Sequence, residues 1–213
     1  PNPAFQLRDL LGMKVATVSE VPTPWICLQY DLRRAGIDPA AIARGPGRTM
    51  AENAAALRSG EVDVIQVFQP YARNLIDEGA GYGWYAAASR GLTSYTTFNT
   101  TRSFIEQNPD AVLRMTRAMY RTQKWIAAHD GRDLAETIAP FLPDVPLPAL
   151  GACCNDYKAL GLWNRNPVME PKGLEWLRAA MLAAGYIGSR PAFEDCVDMR
   201  FAEQAVREDP PPM

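Results

Sequence analysis

The sequence predicts an α/β fold whose second half is mostly helical, and three observations carry that prediction. Met13–Val18 (MKVATV) reads as a short apolar strand, broken at Ser19-Glu20-Val21-Pro22-Thr23-Pro24 and followed by a helix from about Trp25 to Ala35. Val62–Phe68 (VDVIQVF) reads as a second buried strand, ending at Gln69-Pro70-Tyr71 and followed by another helix. From Asn108 onward the pattern is mostly helical. Strand, loop and helix start, used twice in parallel, place two loops at the carboxyl end of one sheet, where open α/β sheets bind small ligands.

The first helix carries Trp25, Leu28 and Leu32 at helical spacing, with Asp31, Arg33 and Arg34 expected on its surface. Gly36 ends it, where a left-handed C-cap is needed. Asp38-Pro39 opens a short helical turn. Arg48–Ser59 forms the second helix, closed by Gly60, and Gln69–Glu78 the third, stopped by Gly79. Gly83–Ala88 and Ser94–Asn99, the latter rich in Thr and aromatic residues, read as further extended segments.

Asn108-Pro109-Asp110 then forms an N-cap cluster with proline in the first turn. It starts a long helix to about Ala128, with apolar Val112, Met115, Met119 and Ile126. Asp133–Leu142, Leu147–Leu160, Lys172–Ala184 and Phe193–Val206 also read as helices, and the tail from Asp209 as frayed.

Composition narrows the function. The 213 residues are 47% hydrophobic and 22% charged, with a formal net charge of −2, so nothing favours nucleic acid. No run reaches the roughly 20 apolar residues that span a bilayer. The chain opens at Pro1 with neither a charged n-region nor an apolar h-region, so a fragment or processed form is expected, with any targeting signal upstream.

Cys27, Cys153, Cys154 and Cys196 match no zinc spacing, and no metal or cofactor is expected. Four reduced, mostly buried thiols are the expectation; a Cys27–Cys196 or Cys154–Cys196 bridge stays open in an oxidising compartment. His129, the only histidine, is expected in solvent at a helix C-terminus, and its isolation argues against a histidine triad. Asp31/Arg34 and Glu203/Arg207 have the spacing of surface helix pairs. Without a nucleophile constellation or phosphate-binding glycine run, the residues point to holding a ligand rather than converting it.

Several segments, taken in order, resemble one family. Asp9–Ala16 (DLLGMKVA), Ala54–Val64 (AAALRSGEVDV), Phe68–Tyr71 (FQPY) and Phe104–Asp110 (FIEQNPD) are similar to segments of periplasmic substrate-binding proteins. Leu162-Trp163-Asn164 and Phe193–Asp198 (FEDCVD) resemble their C-terminal half. The subfamily serves importers of sulfonates, taurine, nitrate and thiamine-pyrimidine precursors.

The resemblance implies a type II periplasmic-binding-protein-like α/β fold, two lobes joined by a strand hinge, with a small polar solute bound between them. It further implies an ABC permease as partner and a periplasmic or other extracytoplasmic location. Residues 9–93 would form lobe II and 94–213 the C-terminal part of lobe I, with 1–8 as hinge or linker. The family's first part would be absent, so the helices from Asn108 would lack their sheet and self-association is expected. A thiamine-pyrimidine-synthase-like enzyme and a ligand-sensing module on the same fold are the alternatives.

The expected ligand-binding residues are Ser19, Glu20, Thr23, Trp25, Gln66, Gln69, Tyr71 and Tyr95. Thr23-Pro24 reads as an N-cap with proline next, leaving backbone N–H groups for an anion. Glu20 beside that positive helix end would oppose an anion and favours a neutral or cationic ligand. Trp25 and Tyr71 are placed to stack on a planar ligand, and Gln66 and Gln69 to read its polar edge. Tyr95, Thr96 and Thr97 fall in the expected hinge strand.

Overall fold

The computed structural model describes residues 4–213, which divide into two units. Unit 1 comprises Pro1–Ser89 with Arg178–Arg190, and unit 2 Arg90–Leu177 with Pro191–Met213. Of the leading segment 1–8, residues 1–3 lie outside the described residues, and a 3₁₀ turn runs from Leu7 to Leu10.

Unit 1 alternates strand and helix. Its elements are β1 (Lys14–Ala16), α1 (Thr23–Arg34), β2 (Ala43–Arg44), α2 (Met50–Arg58), β3 (Val64–Ile65) and α3 (Tyr71–Asp77). The sheet order is β2-β1-β3, all parallel, with Lys14 opposite Ala43 and Val15 opposite Val64. The two strands expected from sequence are thus adjacent and parallel, although each is shorter than expected.

Side-chain alternation on β1 sorts the helices. Val15 faces Leu28 and Leu32 of α1, in a core with Leu10 and Ile42 that Phe5, Met13, Trp25 and Trp84 pack against. Ala16 faces Ala56 of α2, with Val62. Successive helices therefore cover opposite sides of the central strand, and the connections diverge at its carboxyl end. Gly36, at φ 74°, turns the chain out of α1 in a conformation that side-chain-bearing residues disfavour.

Unit 2 is helical: α4 (Arg102–Gln107), α5 (Pro109–Ala128), α6 (Gly131–Ile138), α7 (Leu147–Ala159), α8 (Pro171–Ala183), α9 (Phe193–Cys196) and α10 (Arg200–Glu208), with α8 passing into unit 1 from Arg178. Helices α6 and α7 pack closely, burying Leu134, Ala135, Leu150, Cys153 and Cys154. All four cysteines are reduced thiols, Cys196 is exposed, and burial pushes the Cys154 thiol up. Helix α5 buries none of its 20 residues, and Met115, Phe98 and Phe141 are exposed. No helix among the described residues is long and apolar enough to cross a membrane.

Several sequence expectations are corrected here. Gly83–Ala88 and Ser94–Asn99 are not strands: Ala87–Arg90 is a 3₁₀ turn, and the Ser94 N–H donates to the Gly173 carbonyl at the start of α8 (3.1 Å) instead of to a strand. The helix expected over Phe193–Val206 breaks at Val197, whose extended backbone separates α9 from α10. Asp31 is buried, its carboxylate within 3.5 Å of the Tyr85 hydroxyl, not on the helix surface. His129 is half-buried, stacked on Trp125 with ring centroids 4.3 Å apart.

The tail is clasped on α5 rather than frayed. Lys124 donates to Asp209 and to the Pro210 carbonyl, and Arg121 to the Pro211 carbonyl at 3.0 Å. Arg117 pairs with Glu208, and its hydrogen bonds, aided by Gln204, hold the Glu208 carboxyl at about 2 against an ordinary 4.5. A carboxyl depressed in the folded state contributes fully above its unfolded value and loses that contribution as pH falls from 4.5 through about 2. Glu208→Gln is therefore expected to flatten the fall in stability across that window in urea unfolding; identical acid limbs would show that the pair adds nothing.

Candidate functional site

The carboxyl ends of the three strands bring the candidate residues of unit 1 together. From β1 the chain continues through buried Thr17 and Val18 to exposed Ser19 and Glu20. Val18 forms a parallel bridge with Arg48, and the Ser19 N–H donates to the Arg48 carbonyl at 3.0 Å, so the first loop is held against the β2–α2 connection. Asn53, fully buried on α2, donates from Nδ2 to the Thr17 carbonyl at 3.2 Å and fixes the same turn from beneath.

Glu20 does not attend the start of α1. Both its carboxylate oxygens accept from the Met50 N–H, at 3.0 and 3.2 Å, at the start of α2. There it joins the Thr49 capping box, in which Thr49 Oγ1 accepts from the Glu52 N–H and Glu52 from the Thr49 N–H. A negative charge at a helix N-terminus is stabilising, and α2 takes it. The expectation that Glu20 opposes an anion at α1 falls with this placement.

Thr23 is not an N-cap but the first residue of α1. Pro22 holds the cap position in helical conformation, and its carbonyl accepts from the Ile26 N–H at 3.1 Å. Trp25, in the first turn, packs its half-buried ring against the Val15–Leu28–Leu32 core, and the Arg44 guanidinium carbon lies 4.7 Å from the ring centroid.

At the end of β3, Gln66 Nε2 donates to the Pro24 carbonyl at 3.2 Å, linking the strand end to the first turn of α1. The Gln66 amide oxygen is buried with no hydrogen-bond partner. The Gln69–Pro70 bond is cis. Gln69 Oε1 accepts from the Arg73 N–H at 2.9 Å and secures the start of α3, where Tyr71 is the half-buried first residue. Tyr95 is half exposed in an irregular segment of unit 2. Among the described residues no three His, Cys, Asp or Glu side chains gather to hold a metal.

Arg44 was not anticipated from sequence. It stands at the carboxyl end of β2, exposed, with Nε donating to the buried Thr17 Oγ1 at 2.7 Å. Its strand of two residues is too short for any periodicity. The available signal was topological: two consecutive parallel βα units require a strand between their helices.

Comparisons with known proteins agree with this architecture. A Bacillus subtilis (strain 168) protein, YtlA, named only as a candidate binding protein, is 26% identical over 190 residues, covering 87% of this chain. The chain spans 56% of that relative's length. Among solved structures, the periplasmic aliphatic sulphonate binding protein SsuA from Escherichia coli superposes with a TM-score of 0.63 at 18% identity, over 95% of this chain and 68% of its own.

A protein from Bordetella bronchiseptica RB50 gives 0.64 at 18% identity, over 98% and 69%. The desulfurization enzyme DSZB gives 0.61 at 14% identity, over 98% and 74%. At such identities these likenesses establish the fold, a substrate-binding-protein-like α/β arrangement with a parallel sheet and mostly helical content. A profile of the NMT1-like family matches residues 6–139, more than half of the sequence, and the chain belongs to the NMT1-like family.

Proposed function

We propose that this chain belongs to the solute-binding component of an ABC-type importer, acts outside the cytoplasm, and delivers a small polar organic molecule unchanged to a membrane permease. The observation that carries the reading is the meeting of the β1 and β3 loops. Gln66 reaches from one to the first turn of α1, so Ser19, Glu20, Thr23, Trp25, Gln69 and Tyr71 are set around the carboxyl ends of adjacent strands. That is where open parallel sheets take ligands. The binding role of SsuA supports the same reading, as does the relationship to YtlA.

The test is a thermal-shift screen of the purified protein against small sulfonates, carboxylates, pyrimidines and amines, followed by calorimetry. Tyr71→Ala is expected to weaken binding of any hit several-fold, the equivalent of about 1 kcal/mol for one lost stacking aromatic, while leaving the melting temperature unchanged. Unaltered affinity would remove Tyr71 from the site. DSZB shows that this fold also serves an enzyme. Mass spectrometry of the hit after incubation separates the two readings, since a binding component returns it intact.

A further inference from the structure

We propose that the basic face of α5 forms a second ligand site, independent of the solute site in unit 1, and that it takes the dianionic head of a small phosphate monoester between Arg114 and Arg121.

The clasped tail builds one wall of this site. Asp209, at φ 45°, carries the chain out of α10 and onto α5. The Pro210 carbonyl accepts from Lys124 at 2.7 Å and the Pro211 carbonyl from Arg121 at 3.0 Å, so two rings of fixed backbone angle stand against the helix. Between them and α5 lies a groove of about 380 Å³, lined by Arg114, Arg117, Ala118, Arg121, Pro210 and Pro211. Small-molecule sites start at about that size, roughly 300–1,000 Å³. Ala118 and the proline rings supply an apolar floor and wall, and the arginines a cationic rim.

The charges of the groove are not balanced. Glu208 accepts from Arg117 Nε and Nη2 at 2.5 and 2.6 Å, and Asp209 accepts from Lys124 at 2.5 Å, so those two cations are matched. Asp110 acts on Arg117 through its field alone, and Arg207 adds a positive field at Glu208. Arg114 has no acceptor and no carboxylate partner among the described residues, and Arg121 gives only its Nε to the tail. The hold on Pro211 fixes Arg121 before a ligand arrives, which lowers the entropy lost on binding. Seven residues separate the two arginines, two helical turns or about 10 Å along the axis, a span their long side chains can close around one group. A phosphate monoester carries about −1.5 to −2 at pH 7 and three acceptor oxygens, enough to answer both guanidiniums, each of which takes two oxygens side by side. A monoanionic head answers only one.

The experiment titrates the whole purified chain with phenyl phosphate, benzenesulfonate and neutral benzyl alcohol, read by calorimetry, and adds sedimentation with phosphatidylcholine vesicles that contain or lack phosphatidic acid. The expected result is saturable binding of phenyl phosphate, weakened about fivefold or more in Arg114→Gln and in Arg121→Gln, and partly retained in Arg114→Lys. The same substitutions are expected to move benzenesulfonate binding far less and benzyl alcohol not at all. Arg34→Gln, at an exposed arginine of α1, is expected to change nothing, and Arg114→Gln to keep the parent melting temperature. Phenyl phosphate binding with capture on phosphatidic acid vesicles that Arg114→Gln abolishes makes the lipid headgroup a source of the ester; binding without capture assigns a soluble one, and both uphold the site. Capture without phenyl phosphate binding overturns the small-ligand assignment. No binding at millimolar phenyl phosphate, binding indifferent to both arginines, or an equal loss in Arg34→Gln overturns the site, and the solute-binding reading stands untouched by any of these.

Discussion

Gly131→Ala is expected to destabilise the helical unit by about 3 kcal/mol, seen as a lower urea midpoint. Gly131 opens α6 against α7, and a Cβ there would lie 2.4 Å from the Gly151 carbonyl oxygen and 2.5 Å from Asn155 Cγ. The first of these is backbone and cannot swing aside, so the helices would have to separate. The separation would also pull the Gly131 N–H from Asn155 Oδ1, its acceptor at 2.8 Å. Helix propensity alone argues the other way, favouring alanine by up to about 1 kcal/mol. Overlap with a backbone oxygen outweighs that term. A variant as stable as the parent would show that α6 moves off α7 without cost.

Leu32→Ala is expected to cost about 2–5 kcal/mol, because a fully buried leucine leaves both lost transfer energy and a cavity. Leu32 has no exposed surface and packs with Val15, Leu28 and Ile42 beneath the central strand. The measurement is urea unfolding with tryptophan emission, to which the nearby Trp25 and Trp84 of the same core contribute. A cost below about 1 kcal/mol would mean that α1 collapses into the gap, and the core drawn around β1 would be wrong. Ligand binding is expected to weaken as well, since α1 carries Thr23 and Trp25 of the candidate site.

Much of unit 1 was legible because its signals are local. MKVATV and VDVIQV are apolar runs bounded by turn residues, and Leu28 and Leu32 recur at helical spacing before Gly36. The start of α5 at Asn108-Pro109 was legible for the same reason. Ser94–Asn99 misled because β-branched and aromatic residues favour a strand only where a partner strand exists, and the partner of Ser94 is the Gly173 carbonyl. The clasped tail was illegible because it depends on contacts made far along the chain, Glu208 with Arg117 and Asp209 with Lys124.

The candidate site divides in the same way. The two loops at strand ends follow from pattern alone, since period and punctuation are written in neighbouring residues. What each side chain does there does not. Glu20, adjacent in sequence to α1, serves α2, thirty residues on. Trp25 is committed to the core and to Arg44, and Gln66 to the Pro24 carbonyl. Short-range periodicity alone carries the α/β alternation, the parallel pair β1 and β3, and the helical second half. Contacts between distant segments set the extent of the short edge strand β2, the allegiance of Glu20 and the seat of Arg44 between Thr17 and Trp25. Those depend on which segments meet in space, and a side chain's charge is answered by its nearest neighbour in three dimensions, not along the chain.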